Sequence, residues 1–230
     1  MTLRLVSVDF DARDPSLPAA FWAEMLDREM VRHSSGILLP GDDTQVGLGF
    51  VEADTGEWSG PNPVHLHLTS SDLADQQRTV DRGLELGGRI IRQVPDEGHV
   101  VMADPDRNEF CVIEPTSGFL EGCGFFGEVT CEGSRDVGFF WSDALGWPLV
   151  WDRGDQTAIQ SPNGGTKVSW DVRPGPPTYG TRRQRFRVEA TDPEAEAARL
   201  TTLGASEAGT RDGDIVLTDP DGGEFLVTRA

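Results

Sequence analysis

The sequence is poor in basic residues, and lysine is almost missing from it. Among 230 residues, 20 Lys and Arg stand against 39 Asp and Glu, and Lys167 is the only lysine. The formal net charge of −19 disfavours partners that present phosphate groups, because binding them requires a basic surface. We therefore expect neither nucleic acid nor an anionic membrane surface to be a partner.

Long apolar runs are also missing, which excludes a transmembrane helix. The first ten residues lack a basic region followed by an apolar stretch, so we expect no signal peptide. There are only three cysteines, Cys111, Cys123 and Cys131, without the number or spacing of a disulfide scaffold. We therefore expect a reduced, cytoplasmic chain. Six Trp and eleven Phe are enough to build a core.

The sequence repeats itself. ADPDRNEFCVIEP (103–115) returns as TDPDGGEFLVTRA (218–230), and AAFWAEMLDREMV (19–31) returns as VGFFWSDALGWPLV (137–150). A third pair, 65–89 and 185–205, keeps the same order. Fixed-period similarity of this kind indicates duplicated structural units. We predict two copies of one domain, 1–117 and 121–230, joined by the glycine-containing stretch 116–124.

Each copy divides again into two modules of one helix and about four strands. The helix of the last module shows this most clearly. Asp192 is a favourable N-cap, Pro193 suits the first helical position, and Leu203-Gly204 suits a helix end. We predict an α+β fold of two tandem domains, each of two βαβββ modules that form a cupped mixed sheet.

These repeated features resemble the vicinal oxygen chelate superfamily, which includes glyoxalase I, bleomycin-resistance proteins and extradiol dioxygenases. The resemblance rests on tandem βαβββ modules, on F-W-x-x-x-L after the first strand, and on D-P-D-x-N/G-E-F before the last strand. It is closest to the glyoxalase-like domains. It implies a cup that binds a small molecule, often over a divalent metal.

The resemblance also implies four ligand positions, on the first and last strands of paired modules. His65 matches a usual ligand, whereas Ser7 stands where His is usual and Cys111 where Glu is usual. The fourth position falls near Gly49 or Phe50. The corresponding positions of the second copy hold Phe126, Arg185 and Leu226, and that copy has no histidine. Any Zn, Fe, Mn or Ni is therefore expected only in the first copy, at His65, with an incomplete ligand set.

Side chains two apart on a strand share a face, which groups the polar residues of the first copy. We predict one cavity in that copy, with His65, Asp9 and Asp11 as acid–base groups. Two alternatives stay open: a structural Asp–His pair, and Cys111 as a small core residue. The predicted cavity lining is Ser7, Asp9, Asp11, His65, His67 and Cys111.

In the second copy, Arg185 and Arg187 replace the two histidines. We expect them to pair with Glu128, either as a polar plug or as a ligand-binding site for an anion. Trp22 and Trp141, in the repeated helices, are predicted to be core residues.

Two functions follow from the resemblance. The first is a small-molecule-binding protein with a degenerate metal site, which sequesters its ligand or acts on it without metal. The alternative is a divalent-metal lyase, isomerase or dioxygenase that uses His65 with unusual partners. A monomer or a homodimer is expected. The sequence leaves open the ligand, the reaction, and whether each cup forms within one copy or between copies.

Overall fold

The computed structural model describes residues 3–54, 62–93, 98–172 and 183–230, which contain four βαβββ modules. The predicted α+β class and its modules are confirmed. Module 1 contains β1 (Arg4–Ala12), α1 (Ser16–Leu26), β2 (Val31–His33), β3 (Gly36–Leu39) and β4 (Gly47–Glu52). Module 2 contains β5 (Val64–Leu68), α2 (Leu73–Glu85), β6 (Arg89–Gln93), β7 (Val100–Ala103) and β8 (Glu109–Val112).

The second copy repeats this order. Module 3 contains β9 (Phe126–Glu132), α3 (Arg135–Leu145), β10 (Leu149–Arg153), β11 (Gln156–Gln160) and β12 (Lys167–Asp171). Module 4 contains β13 (Gln184–Ala190), α4 (Pro193–Thr202), β14 (Ser206–Arg211), β15 (Asp214–Thr218) and β16 (Glu224–Arg229). The segment between the copies includes one short 3₁₀ turn, Gly118–Leu120.

Local sequence signals set the helix ends. The Asp72 side chain accepts a hydrogen bond from the Asp75 amide at the start of α2, and the Asp192 side chain accepts one from the Ala195 amide in α4. Pro193 begins α4, and Gly204 follows its end with a φ of 117°. Both ends of α4 therefore agree with the prediction.

The modules exchange partners between the two copies. The first sheet has the order β14-β15-β16-β13-β1-β4-β3-β2, and the second sheet has the order β10-β11-β12-β9-β5-β8-β7-β6. Modules 1 and 4 thus form one sheet and modules 2 and 3 form the other. The opening strands meet antiparallel at the centre of each sheet, β1 against β13 and β5 against β9.

This exchange overturns the prediction of a single cavity within the first copy. Ser7, Asp9 and Asp11 lie on β1 in the first sheet, whereas the two histidines of β5 and Cys111 lie in the second sheet. Modules 1 and 2 are neighbours in sequence but belong to different sheets, so these two sets of residues do not share a cavity. The boundary between residues 117 and 121 separates the two copies of the sequence repeat. It does not separate the sheets, because each sheet contains strands of both copies.

One continuous core holds the sheets and helices together. It contains buried apolar side chains from all four helices and both sheets. Trp22 and Trp141 are 0% and 1% exposed, as predicted for core residues. Trp22 Nε1 donates a hydrogen bond to the buried Asp104 carboxylate at 2.9 Å. No helix in the described residues is both long and apolar enough to cross a membrane.

The exchange predicts that neither copy is a stable monomer alone. Residues 1–117 expressed separately would leave β1 and β5 without their central partners and expose Leu66, which is 0% exposed in the whole chain. An unpaired apolar strand edge promotes aggregation. We expect each half alone to aggregate, self-associate or unfold, and coexpressed halves 1–117 and 121–230 to copurify as a 1:1 complex. Size-exclusion chromatography with circular dichroism measures this. A folded, monomeric half would contradict the exchange.

Candidate functional site

One face of the second sheet carries titratable side chains from three adjacent strands. His67 on β5 lies opposite Cys111 on the parallel strand β8 and opposite Glu128 on the antiparallel strand β9. His65 lies two residues before His67 and shares this face, as predicted from strand alternation. The cluster therefore draws on both sequence copies.

Each histidine is paired with its own glutamate. The Nδ1 atom of His67 lies 2.6 Å from Oε2 of Glu128, and Ser169 Oγ donates a hydrogen bond to the other oxygen of that carboxylate. The Nε2 atom of His65 lies 3.0 Å from Oε2 of Glu109 and 3.0 Å from the carbonyl oxygen of Asn62. Because both of these atoms are acceptors, Nε2 of His65 carries the hydrogen.

These pairs stabilise the charged histidines. Burial disfavours an imidazolium, but the charge of Glu128 and a hydrogen bond with Cys111 outweigh it and raise the pKa of His67 to about 10. Burial acts in the same way on His65, and its hydrogen bonds with Cys111 and Glu109 leave its pKa raised. Glu128 thus keeps a positive charge on His67 beside the sulfur atom, and Glu109 favours the charged form of His65.

Cys111 is the centre of this cluster. Its burial favours the neutral thiol, but hydrogen bonds with His65 and His67, and their charges, lower the pKa of Cys111 to about 6. A thiolate–imidazolium pair with His67 therefore exists between about pH 6 and about pH 10. The thiolate is the nucleophilic form of cysteine. Cys111 is also a small buried residue in an apolar cluster, as the alternative from sequence has it, so burial and the contacts with the histidines occur together.

The same contacts bear on the metal expected from the resemblance. Within the described ranges, no three His, Cys, Asp or Glu side chains are placed to hold a metal ion together. The ring nitrogens of His65 and His67 instead contact Glu109 and Glu128, and Cys111 contacts both rings. The residues present do not fit a metal centre of the expected type, so the chemistry below uses side chains alone.

Cavities lie near the cluster, and one of about 410 Å³ is lined in part by Ile113, Leu120 and Cys123. A cavity of about 230 Å³ lies next to His65, which is smaller than a typical drug-sized pocket. Elsewhere on the same face, the segment between the copies packs against the sheet. Leu120 and Cys123 join Cys111 in a cluster of buried side chains, and Lys167 Nζ donates to the Phe119 carbonyl. The cavity is lined by Pro63, His65, Thr130, Cys131, Glu132, Asp171 and Val172.

The first sheet holds the other predicted site residues in a network of ion pairs. Asp9 is 1% exposed; it accepts a hydrogen bond from Ser7 Oγ at 2.6 Å and one from Arg187 Nε at 2.8 Å. Arg187 also reaches Asp214 at 3.3 Å. A Cβ on Gly49 would lie 2.2 Å from Oδ1 of Asp9. The missing side chain at Gly49 therefore makes room for the carboxylate.

Arg185 and Arg187 do not pair with Glu128, contrary to the expectation from sequence. Arg185 is bound to Asp11 and Arg187 to Asp9, whereas Glu128 belongs to the second sheet. The prediction was wrong because β13 pairs with β1 and not with β9. The Nε atom of Arg185 is buried and has no hydrogen-bond partner among the described residues.

A cavity of about 320 Å³ lies over this network and includes Asp9, Gly49 and Arg187 in its lining. Each charged group of the network already has an opposite partner. Such an arrangement supports polar binding or a structural plug. The rest of the lining is Val6, His33, Ser34, Ser35, Gly36, Ile37, Leu38, Phe50, Val51, Glu189 and Thr228.

Sequence reasoning missed three parts of the second-sheet site. Ser169 donates a hydrogen bond to Glu128 and lies on the last strand of module 3. The resemblance places a ligand position on the last strand of module 1, and the corresponding count in module 3 indicates Ser169. Glu109 pairs with His65, but Glu224 stands at the corresponding position of the second copy, so the repeat gives Glu109 no distinguishing signal. No sequence pattern places Cys123 near Cys111.

Comparison with known proteins agrees with this architecture. A family model described as "Glyoxalase-like domain" matches residues 7–113 and again residues 128–228. The chain belongs to the glyoxalase-like domain family. The predicted relation to the vicinal oxygen chelate superfamily is thereby confirmed. No curated protein matches the sequence.

Solved structures show the same fold over nearly the whole chain. Glyoxalase I from Zea mays is 15% identical, with a TM-score of 0.66 over 98% of this chain and 92% of that one. A putative dioxygenase from Bacillus subtilis subsp. subtilis str. 168 is 14% identical, with a TM-score of 0.64 over 99% and 85%. At these identities the likeness concerns the fold alone. The glyoxalase-like family therefore supplies the scaffold, and this chain's own side chains must supply its chemistry.

The network in the first sheet predicts a contrast between two variants on β1. Asp9→Ala removes a buried carboxylate and leaves Arg187 without its closest partner. The free energy of unfolding should therefore fall by about 3 kcal/mol. Arg4→Ala removes only the exposed pair with Glu189 and should cost less than about 1 kcal/mol. Urea unfolding followed by circular dichroism measures both. Equal, small effects would show that the network is not structural.

Proposed function

We propose that this protein binds a small electrophilic molecule in the cup of the second sheet and that Cys111 attacks it as a thiolate, without a metal. The observation that carries the proposal is the position of Cys111 between two histidines, each paired with a glutamate. A nucleophile beside a base that a third group orients is the usual arrangement in covalent catalysis. The sequence analysis expects a role without metal, and a Cys111 thiolate gives that role a nucleophile.

The cup indicates the kind of ligand. Glu109, Glu128 and Glu132 contribute negative charge around the two histidines, and the chain carries a net charge of −19. This field disfavours an anion. The cavity of about 230 Å³ beside His65 favours a small ligand. We therefore propose a small, uncharged electrophile such as an activated alkene or a carbonyl compound.

The proposed addition balances in atoms and electrons. The sulfur lone pair of Cys111 forms a bond to the electrophilic carbon, and the π electrons of the double bond move away from that carbon. The group that receives them takes a proton from the imidazolium of His65 or His67. Loss of that proton leaves the histidine neutral beside its glutamate, ready to accept a proton when the adduct breaks down. If the adduct persists, the protein sequesters the molecule.

Acrylamide, a neutral activated alkene, is a direct probe. We expect mass spectrometry to show one adduct on Cys111, absent in Cys111→Ser, with a rate that reaches half its maximum near pH 6. In His67→Gln the Cys111 thiol loses a positive neighbour, so its pKa should rise. If the pKa of Cys111 rose from about 6 to the ordinary value near 8.5, the fraction of thiolate at pH 6 would fall more than a hundredfold. Greater intrinsic nucleophilicity offsets part of this, so the rate at pH 6 should fall roughly tenfold.

Cys123→Ser is the matched control, since Cys123 is buried and does not line the cavity beside His65. It should label like the original protein. A half-maximal rate near pH 8.5 for Cys111, or preferential labelling of Cys131, would reject the proposal. Elemental analysis of protein purified without chelators tests the alternative. Stoichiometric Zn, Fe, Mn or Ni would favour the metal-dependent enzyme.

A further inference from the structure

A row of side chains crosses five neighbouring strands of the second sheet and contains the candidate site. Each member lies directly opposite the next one on the adjacent strand. Residues paired in this way point to the same side of a sheet, so the row lines one face. Its members, in order across the sheet, are Lys167 on β12, Glu128 on β9, His67 on β5, Cys111 on β8 and Val101 on β7.

The segment between the copies contacts this row at one end through Phe119. Residues 118–122, which we call the strap, begin with the 3₁₀ turn Gly118–Leu120. The carbonyl oxygen of Phe119 accepts a hydrogen bond from Lys167 Nζ, and the same ammonium lies 4.8 Å from the centre of the Phe119 ring. An aromatic face attracts a cation placed in this way. Lys167 therefore holds both the backbone and the ring of Phe119.

Leu120 forms the second contact of the strap, at the other end of the row. Its side chain is 6% exposed and belongs to a buried cluster that includes Val101 and Cys111. Cys111 itself is 5% exposed. The strap thus contacts both ends of the row that contains the candidate nucleophile, and it restricts entry to that face of the sheet.

Few other contacts hold the strap in place. Gly118, Glu121 and Gly122 are exposed, and a Cβ on either glycine would meet nothing within 4 Å. A cavity of about 410 Å³ lies beside the strap and is also lined by residues 69–71. Segments with few buried contacts open at a low cost in free energy. The strap can therefore move away from the row while the strands stay paired.

The surroundings of Phe119 suit a ligand of a particular kind. Its ring meets the ring of Trp151 edge to face, with 5.1 Å between centroids and 83° between planes. The Nε1 atom of Trp151 is buried and has no hydrogen-bond partner among the described residues. An aromatic surface, an ammonium and a free donor therefore surround this position. They could make the same contacts with a molecule that carries an aromatic ring and a carbonyl oxygen.

We propose that the strap is an autoinhibitory element, and that a neutral aromatic carbonyl compound displaces it by taking the place of Phe119. The inference rests on the proposed function for the reaction at Cys111, and adds which ligand gains entry. With the strap closed, the cavity of about 230 Å³ beside His65 admits only small molecules. With the strap open, the ring of the ligand packs on Trp151 and its carbonyl oxygen accepts the hydrogen bond of Lys167.

Hydrogen exchange tests displacement in the original protein. The amide of Leu120 donates to the carbonyl oxygen of Ser117 at 3.2 Å in the closed strap, so opening should accelerate its exchange. We expect N-benzylpropanamide to accelerate exchange in a peptide that contains Leu120, and propanamide, which lacks the ring, to leave it unchanged. Lys167→Met should accelerate exchange without a ligand. Unchanged or slower exchange with N-benzylpropanamide would overturn the inference.

A pair of reagents tests entry to the site. The rate at which N-benzylacrylamide labels Cys111 is divided by the rate for acrylamide, and the same ratio for glutathione corrects for intrinsic reactivity. Phe119→Ala removes the ring that the ligand must displace, so the corrected ratio should rise roughly tenfold. Phe125→Ala is the matched control, because that side chain is 39% exposed, and it should leave the ratio unchanged.

The two experiments separate this inference from the proposed function. N-benzylpropanamide lacks the reactive double bond, so the exchange result does not depend on the nucleophilicity of Cys111. If acrylamide labels Cys111 but neither the exchange nor the ratio changes, the strap inference fails and the proposed function stands. If the exchange changes as expected but Cys111 does not react with acrylamide, the proposed function fails and the displacement of the strap stands.

Discussion

The antiparallel pairing of opening strands from different copies is the constraint on which the rest of the structure depends. β5 pairs with β9 and β1 pairs with β13, so each sheet is completed by the other copy. The pairing between β5 and β9 places His67 opposite Glu128, and without it the Cys111 cluster would lack the carboxylate that keeps His67 charged. Fold and site thus share one cause. The glyoxalase-like scaffold supplies the strands, and the exchange determines which side chains meet.

The two cups use their buried charges differently. In the first sheet, arginines meet aspartates in ion pairs that join β13 to β1. In the second sheet, histidines meet glutamates with a cysteine between them, and the lowered pKa of about 6 makes the Cys111 sulfur a thiolate near neutral pH. The first arrangement is suited to holding a structure together. The second is suited to chemistry, which is why the proposed function lies there.

The sequence predicts much of the fold and only part of the site. Repeats and capping residues such as Asp192 identify the four modules, because these signals are local. Strand alternation correctly places Ser7 with Asp9 and His65 with His67. Alternation does not show which strands pair when they are far apart in the sequence. It therefore predicts one cavity for residues that lie in two different sheets. The packing of Leu120 and Cys123 beside Cys111's strand was equally hidden, since it depends on how an irregular segment packs on the sheet.

The central claim is that Cys111 is a thiolate at neutral pH because the exchanged sheets surround it with charged histidines. Ultraviolet absorbance of the thiolate measures this without any reagent entering the cup. A pH titration of the original protein minus that of Cys111→Ser isolates this one sulfur. The account predicts a midpoint at about pH 6. A midpoint near the ordinary value of about 8.5 would contradict it.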